Sequence, residues 1–223
     1  QVPRDAGYTR GAIEKTDMTN KSAMRLSRVV SAVFHPCLLP IYAVITVLFS
    51  DTVYSFYTMR VKFYLIWVVV LYAAFIPMLA YFLFKRLDGL KRMSIDRSRL
   101  RMLMLMVGAV CYMLCAVTLL KLPSLLLFRK LATAAVMCEI FCIFTVRRWN
   151  VSLHLAAMGA VTALFVMLNI IGVMSLFWPM VAAIIVSGLL ASSRLCLGRH
   201  DGWEVLAGFG GGFLVSSLSL LYV

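Results

Sequence analysis

Acidic side chains are scarce in this chain: Asp and Glu together number nine in 223 residues. Histidine is scarcer still, with three. Charged residues of both signs make up only 14%, against about 25% in an ordinary soluble domain. Proline is sparse, and no stretch rich in Pro, Gly or Ser divides the chain into units. No period of about 20–50 residues repeats, so a solenoid or propeller is excluded. None of the six cysteines falls in a CxxC pair matched by a second CxxC or an HxxxH, the pattern a structural zinc site requires. These absences exclude an ordinary soluble enzyme, a disordered protein and a disulfide-stapled secreted module.

What fills the chain instead is apolar. Hydrophobic residues make up 63%, and mean hydropathy is +0.95. The composition is that of an all-α, polytopic transmembrane helical bundle. A helix needs about 20 apolar residues to cross a bilayer. Apolar runs fall at 29–50, 61–84, 102–120, 131–146, 153–174, 176–193 and 203–223, which predicts six to seven spans. Residues 1–28 form a basic polar tail ahead of one transmembrane domain, 29–223. The tail holds Arg4, Arg10, Lys15, Lys21, Arg25 and Arg28 but no apolar core, so it does not read as a signal peptide.

The net charge is +13, and its placement is uneven. With seven spans, successive loops alternate sides. The tail, 85–101, 147–151 and 194–202 then share one side, which carries seventeen of the 22 Lys and Arg. The other side carries Arg60, Lys62, Lys121, Arg129 and Lys130. The positive-inside rule places the cation-rich side in the cytoplasm. Setting aside Arg97, Arg101 and Arg194 as possible ligands leaves that bias in place.

Three polar stretches interrupt the apolar pattern, all on the cation-rich side. They are Lys91 to Arg101, Asn150 to His154, and Ser193 to Glu204. Each precedes or opens a helix, where free backbone N–H groups and the positive end of the dipole favour an anion. Arginine matches phosphate oxygens bidentately. One imidazole can attack phosphorus while a second protonates the leaving oxygen. His200 and Glu204, four residues apart, would lie side by side on a helix, and the carboxylate would then fix the tautomer of the imidazole. No metal or cofactor is required, because arginines can neutralise the developing charge. Singly, each feature has a plainer reading: loop arginines orient the bundle, and His154 bonds at the interface. The combination is harder to obtain by accident.

Other residues divide between two readings. The pairs Cys111/Cys115 and Cys138/Cys142 each share a helix face. That fits a metal, but buried thiols serve more often as small hydrophobes. Glu139 is the one acid inside a span. It is a proton relay in a transporter, or a structural group paired with Lys130 or a neighbouring helix. Asn169 is expected to bond between helices, and His35 to cap the start of the first span. The basic tail can touch anionic lipid heads. Nucleic acid is not expected as a partner, because the charge lies next to the membrane.

Ser193-Arg194, five residues, His200, three residues, Glu204 resembles the third signature of the type-2 phosphatidic acid phosphatase superfamily, which reads Ser-Arg, five residues, His, three residues, Asp. Val151-Ser152-Leu153-His154 resembles its second, Pro-Ser-Gly-His. Phe34-His35-Pro36, Pro40, Ser193-Arg194-Leu195 and Ala207-Gly208-Phe209 are similar to a short branch found in Bacteroidetes. The resemblance spans residues 29–215. It implies metal-independent hydrolysis of a lipid-linked phosphate or diphosphate in a bacterial inner membrane. His200 would be the nucleophile that forms a phosphohistidine, His154 the general acid and Glu204 the group that orients His200. Arg194 and Ser152 would hold the phosphate, with Arg97 and Arg101 assigned to the first signature by their nearness to a helix start. Glu204 stands where the family has Asp, and Val151 and Leu153 where it has Pro and Gly. A non-catalytic lipid-phosphate-binding or accessory subunit on the same scaffold is therefore the alternative. Family members often act on the periplasmic face, whereas the cation count favours the cytoplasm.

Overall fold

A computed structural model describes residues 22–50, 53–89, 97–120, 125–171 and 176–222. Among these residues the fold is all helical, with no strand. The first helix, α1, covers 22–33, so the boundary expected after residue 28 falls inside it. Then follow α2 (Leu39–Phe49), a 3-10 turn (Val53–Phe56), α3 (Met59–Val70), a π turn (Leu71–Phe75) and α4 (Ile76–Gly89). The rest are α5 (Arg97–Leu120), α6 (Leu126–Trp149), α7 (Leu153–Ile170), α8 (Phe177–Cys196) and α9 (Gly202–Tyr222).

Among the described residues, five stretches are long and apolar enough to cross a membrane: Met59–Arg86, Arg99–Leu120, Leu153–Ile170, Phe177–Cys196 and Gly202–Tyr222. The apolar run 29–50 is divided. The chain leaves the helix at 34–38, around Pro36, and restarts as α2, which has 11 residues and Pro40 in its first turn. Proline cannot donate the helical hydrogen bond, so it suits a helix start and disrupts an interior. Helix α6 has 24 residues but carries Arg129, Lys130, Glu139, Arg147 and Arg148. In the Met59–Arg86 stretch, Pro77 leaves the carbonyl of Ala73 without its usual donor. The π turn lies just ahead of it, as such bulges commonly do at a break in the helical ladder.

The outer surface is apolar, with Trp67, Phe75, Phe144 and Ile185 among the exposed side chains. Exposed aromatics also mark both ends: Trp149 and Trp203 at one, Trp178 and Tyr222 at the other. Such belts sit at the two water interfaces of a bilayer. Helix α9, at 1.5 Å per residue, is about 31 Å long, close to the hydrocarbon thickness of roughly 30 Å.

The closest pair is α7 and α9. A Cβ on Gly159 would run into the carbonyl of Phe209, one on Gly208 into that of Ser152, and one on Gly212 into that of Ala156. Without a hydrophobic drive between helices in lipid, small residues let backbones meet and gain dispersion contact. Ser187 of α8 lies 3.5 Å from Thr162 of α7. Asn169 accepts from the Leu176 amide at 3.1 Å, tying the end of α7 to the start of α8. That is the interhelical role expected of it.

Candidate functional site

The end of α6, the start of α7, the link from α8 to α9 and the start of α5 converge at one end of the bundle. Asn150 ends α6 in the left-handed conformation, with φ 51°, which Asn tolerates better than most residues. Arg101, at the start of the second turn of α5, clasps that corner. Its guanidinium donates to Asn150 Oδ1 at 3.0 Å and to the Val151 carbonyl at 2.8 Å. Ser152 follows and donates its amide to the Glu204 carbonyl at 3.3 Å. Gly208 lets α9 lie against this segment. Arg101 of the first polar stretch thus touches the second, and the second touches the third.

His200 sits in the turn before α9, two residues ahead of its first helical residue. Its Nδ1 lies 2.8 Å from Glu204 Oε2, and the side chains are 7% and 20% exposed. With a proton on Nδ1, the hydrogen bond leaves the Nε2 lone pair free. Glu204 is also in the first turn of α9, where the helix dipole favours a carboxylate.

Arg194, in the last turn of α8, is 9% exposed, and its Nε has no hydrogen-bond partner. Arg199 and Arg101 are the charges that act on it. No carboxylate pairs with it among the described residues. Ser152 is 0% exposed. Its backbone stands in the N-cap position of α7, yet its hydroxyl makes no cap bond and finds no other partner. Buried polar groups without partners are rare and costly. Two of them lie at this charge-rich junction with their hydrogen-bonding capacity unused.

His154 stands in the first turn of α7, near enough to Arg194, His35 and His200 to feel all three. The His35 ring meets it edge to face, with centroids 5.5 Å apart. The His35 Nδ1 accepts from the Cys37 amide at 3.4 Å, so His35 also caps its turn as expected. Burial holds the His35 imidazole below its ordinary pKa. Arg97 opens α5, but its side chain lies outside the described residues.

The residues expected at the site do not all face the same space. His154 and Arg101 line a long cavity of ≈ 760 Å³ inside the bundle. Glu204 lines a polar groove of ≈ 480 Å³ outside it, shared with Arg147, Arg148 and Asp201. Ser152, Arg194 and His200 line neither. Arg199 stood in the third polar stretch without an assigned role, and His35, which could either line the mouth of the site or cap a turn, does both: it lines the cavity and bonds the Cys37 amide. Glu139 does not pair with Lys130, whose ammonium donates to the Leu220 carbonyl at 3.4 Å. No protein family, curated protein or solved structure matches this chain.

Proposed function

We infer that the chain is a membrane phosphatase that hydrolyses a lipid-linked phosphate or diphosphate without a metal. The observation that carries this reading is the unpartnered pair Arg194 and Ser152, buried beside the His200–Glu204 hydrogen bond. A phosphate there would accept from Arg194 Nε and from the Ser152 hydroxyl. Arg199 and Arg101 would add positive field.

His200 Nε2 then attacks phosphorus, and the bond from phosphorus to the lipid oxygen breaks. His154 gives its proton to that oxygen, releasing a lipid alcohol. Glu204 accepts the Nδ1 proton's hydrogen bond throughout and steadies the positive imidazole. His154 next takes a proton from water, which attacks phosphorus as the P–N bond breaks. Phosphate leaves, and both imidazoles return to their starting states. In this reading six or seven segments cross a bacterial inner membrane, with the site at the cytoplasmic face. The resemblance to the phosphatase superfamily allows the periplasmic face equally.

Phosphate release from a panel of lipid phosphates, with purified protein and no added metal, tests the activity. His200→Ala should lower release by about 10³-fold or more and leave the melting temperature unchanged. Release that persists in His200→Ala sinks the mechanism. The alternative is a lipid-phosphate-binding subunit without turnover. It is favoured by Val151 and Leu153, which stand where the superfamily has Pro and Gly. Saturable binding with no release from any lipid in the panel would decide for it.

A further inference from the structure

The cavity that His154 and Arg101 line reaches well beyond those two residues. On α5 its wall extends from Arg101 to Cys115, and on α6 from Cys142 to Phe128. Fourteen residues of helix make about 21 Å, so the space runs down much of the bundle. Its lining is mostly apolar, which suits one extended hydrocarbon chain.

Among the described residues one carboxyl, Glu139, faces this space below the histidines, and the unpartnered Ser216 hydroxyl lines it too. Glu139 Oε2 is buried and has no hydrogen-bond partner. Its Oε1 leans on Gly108, where a Cβ would sit 3.1 Å away. Tyr112, one turn on from Gly108, and Cys37 lie close enough to interact with it electrostatically. Its depth can be read from its neighbour. Cys138 Sγ lies 3.8 Å from the carbonyl of Ala156, two residues past His154. Glu139 is therefore about one helical turn, roughly 5 Å, below the histidine pair. An isolated carboxyl in an apolar cavity is costly unless something bonds it.

We propose that this cavity binds a single-chain lipid carrying a free hydroxyl near its head, and that Glu139 recognises the hydroxyl. An amine is the poorer match, because the Arg101 guanidinium lines the upper end and repels cations. A hydroxyl bonds a carboxyl in either protonation state and brings no charge into the membrane. Combined with the proposed phosphatase, the substrate becomes a single-chain phosphoester with a hydroxyl on a carbon close to the ester oxygen. That last step rests on the phosphatase reading; the binding site does not.

The test therefore uses lipids without phosphate. The full chain is purified in detergent and titrated with a 1-monoacylglycerol and with the methyl ester of the same fatty acid, following thermal stabilisation. The monoacylglycerol should half-saturate at about tenfold lower concentration. The unbranched apolar variant Glu139→Met should bind both alike. It should also melt no lower than wild type without ligand, since it removes an unpartnered polar group. Equal binding of the two esters by wild type overturns the proposal. So does a preference that survives in Glu139→Met, or a long-chain amine that binds tighter than the monoacylglycerol in a Glu139-dependent way. Should Glu139→Met not purify, the two esters on wild type still decide. Failure of the phosphatase reading would appear separately, as absence of phosphate release with the hydroxyl preference intact.

Discussion

Two arginines at the same end of the bundle have opposite standing. Arg101, at the α6–α7 corner, spends its guanidinium on Asn150 and Val151. Arg194, at the end of α8, is buried with its Nε unpartnered and two further arginines acting on it. By residue type and loop position they look alike. Their hydrogen bonds separate them: one holds the frame and the other is available to a ligand. The same test separates the serines, since Ser193 bonds back to the Leu189 carbonyl at 2.8 Å while Ser152 bonds nothing through its hydroxyl.

The severest way to break this contrast is to part the two corners. Gly208→Val places a branched side chain where even a Cβ lies 2.7 Å from the Ser152 carbonyl. Backbone must move, and most of the folded protein recovered from detergent should be lost, as size-exclusion chromatography would show. Arg194→Met should lower kcat/KM for phosphate release by about 10²-fold while leaving the melting temperature unchanged or raised, because it removes an uncompensated buried charge. A fall in both would mean that Arg194 has a structural partner.

Arg101→Met should show the reverse weighting. It removes two hydrogen bonds from the α6–α7 corner and should cost about 1–3 kcal/mol of stability, read by thermal unfolding, with the smaller effect on release. The mildest effect concerns His35. Burial lowers its pKa in the folded state, so the unfolded chain binds its proton more readily. The stability it contributes is full above its ordinary value of 6.5 and is lost as pH falls toward the folded value. His35→Gln should flatten the decline of the melting temperature between pH 7 and pH 5; an unchanged slope would assign that decline to other groups.

Much of this was readable from spacing. The i, i+4 relation of His200 and Glu204 foretold their contact, and helix parity gathered three polar stretches, of which the first touches the second and the second the third. Other features depend on which competing bond wins, and spacing carries no such information. Nothing at position 101 says that its guanidinium will be taken by Asn150, and nothing at 152 says that an N-cap serine will leave its hydroxyl idle. The break in the run 29–50 was visible as Pro36 and Pro40 but hidden by the apolar count. The cavity was illegible for a further reason. It is a space between α2, α4, α5, α6 and α7, and only their packing decides whether Glu139 faces lipid, protein or a void.

The glycine seam between α7 and α9 closes one flank of the bundle. Where two backbones rest on each other, no acyl chain can slip between them, so that side of the molecule is sealed to the surrounding bilayer. The cavity wall away from the seam includes Tyr72, Ala73, Pro77 and Tyr81, the stretch where the π turn interrupts the regular helical ladder. A helix irregular at that point bends there more readily than a straight one. The bundle thus has one rigid flank and one pliable flank.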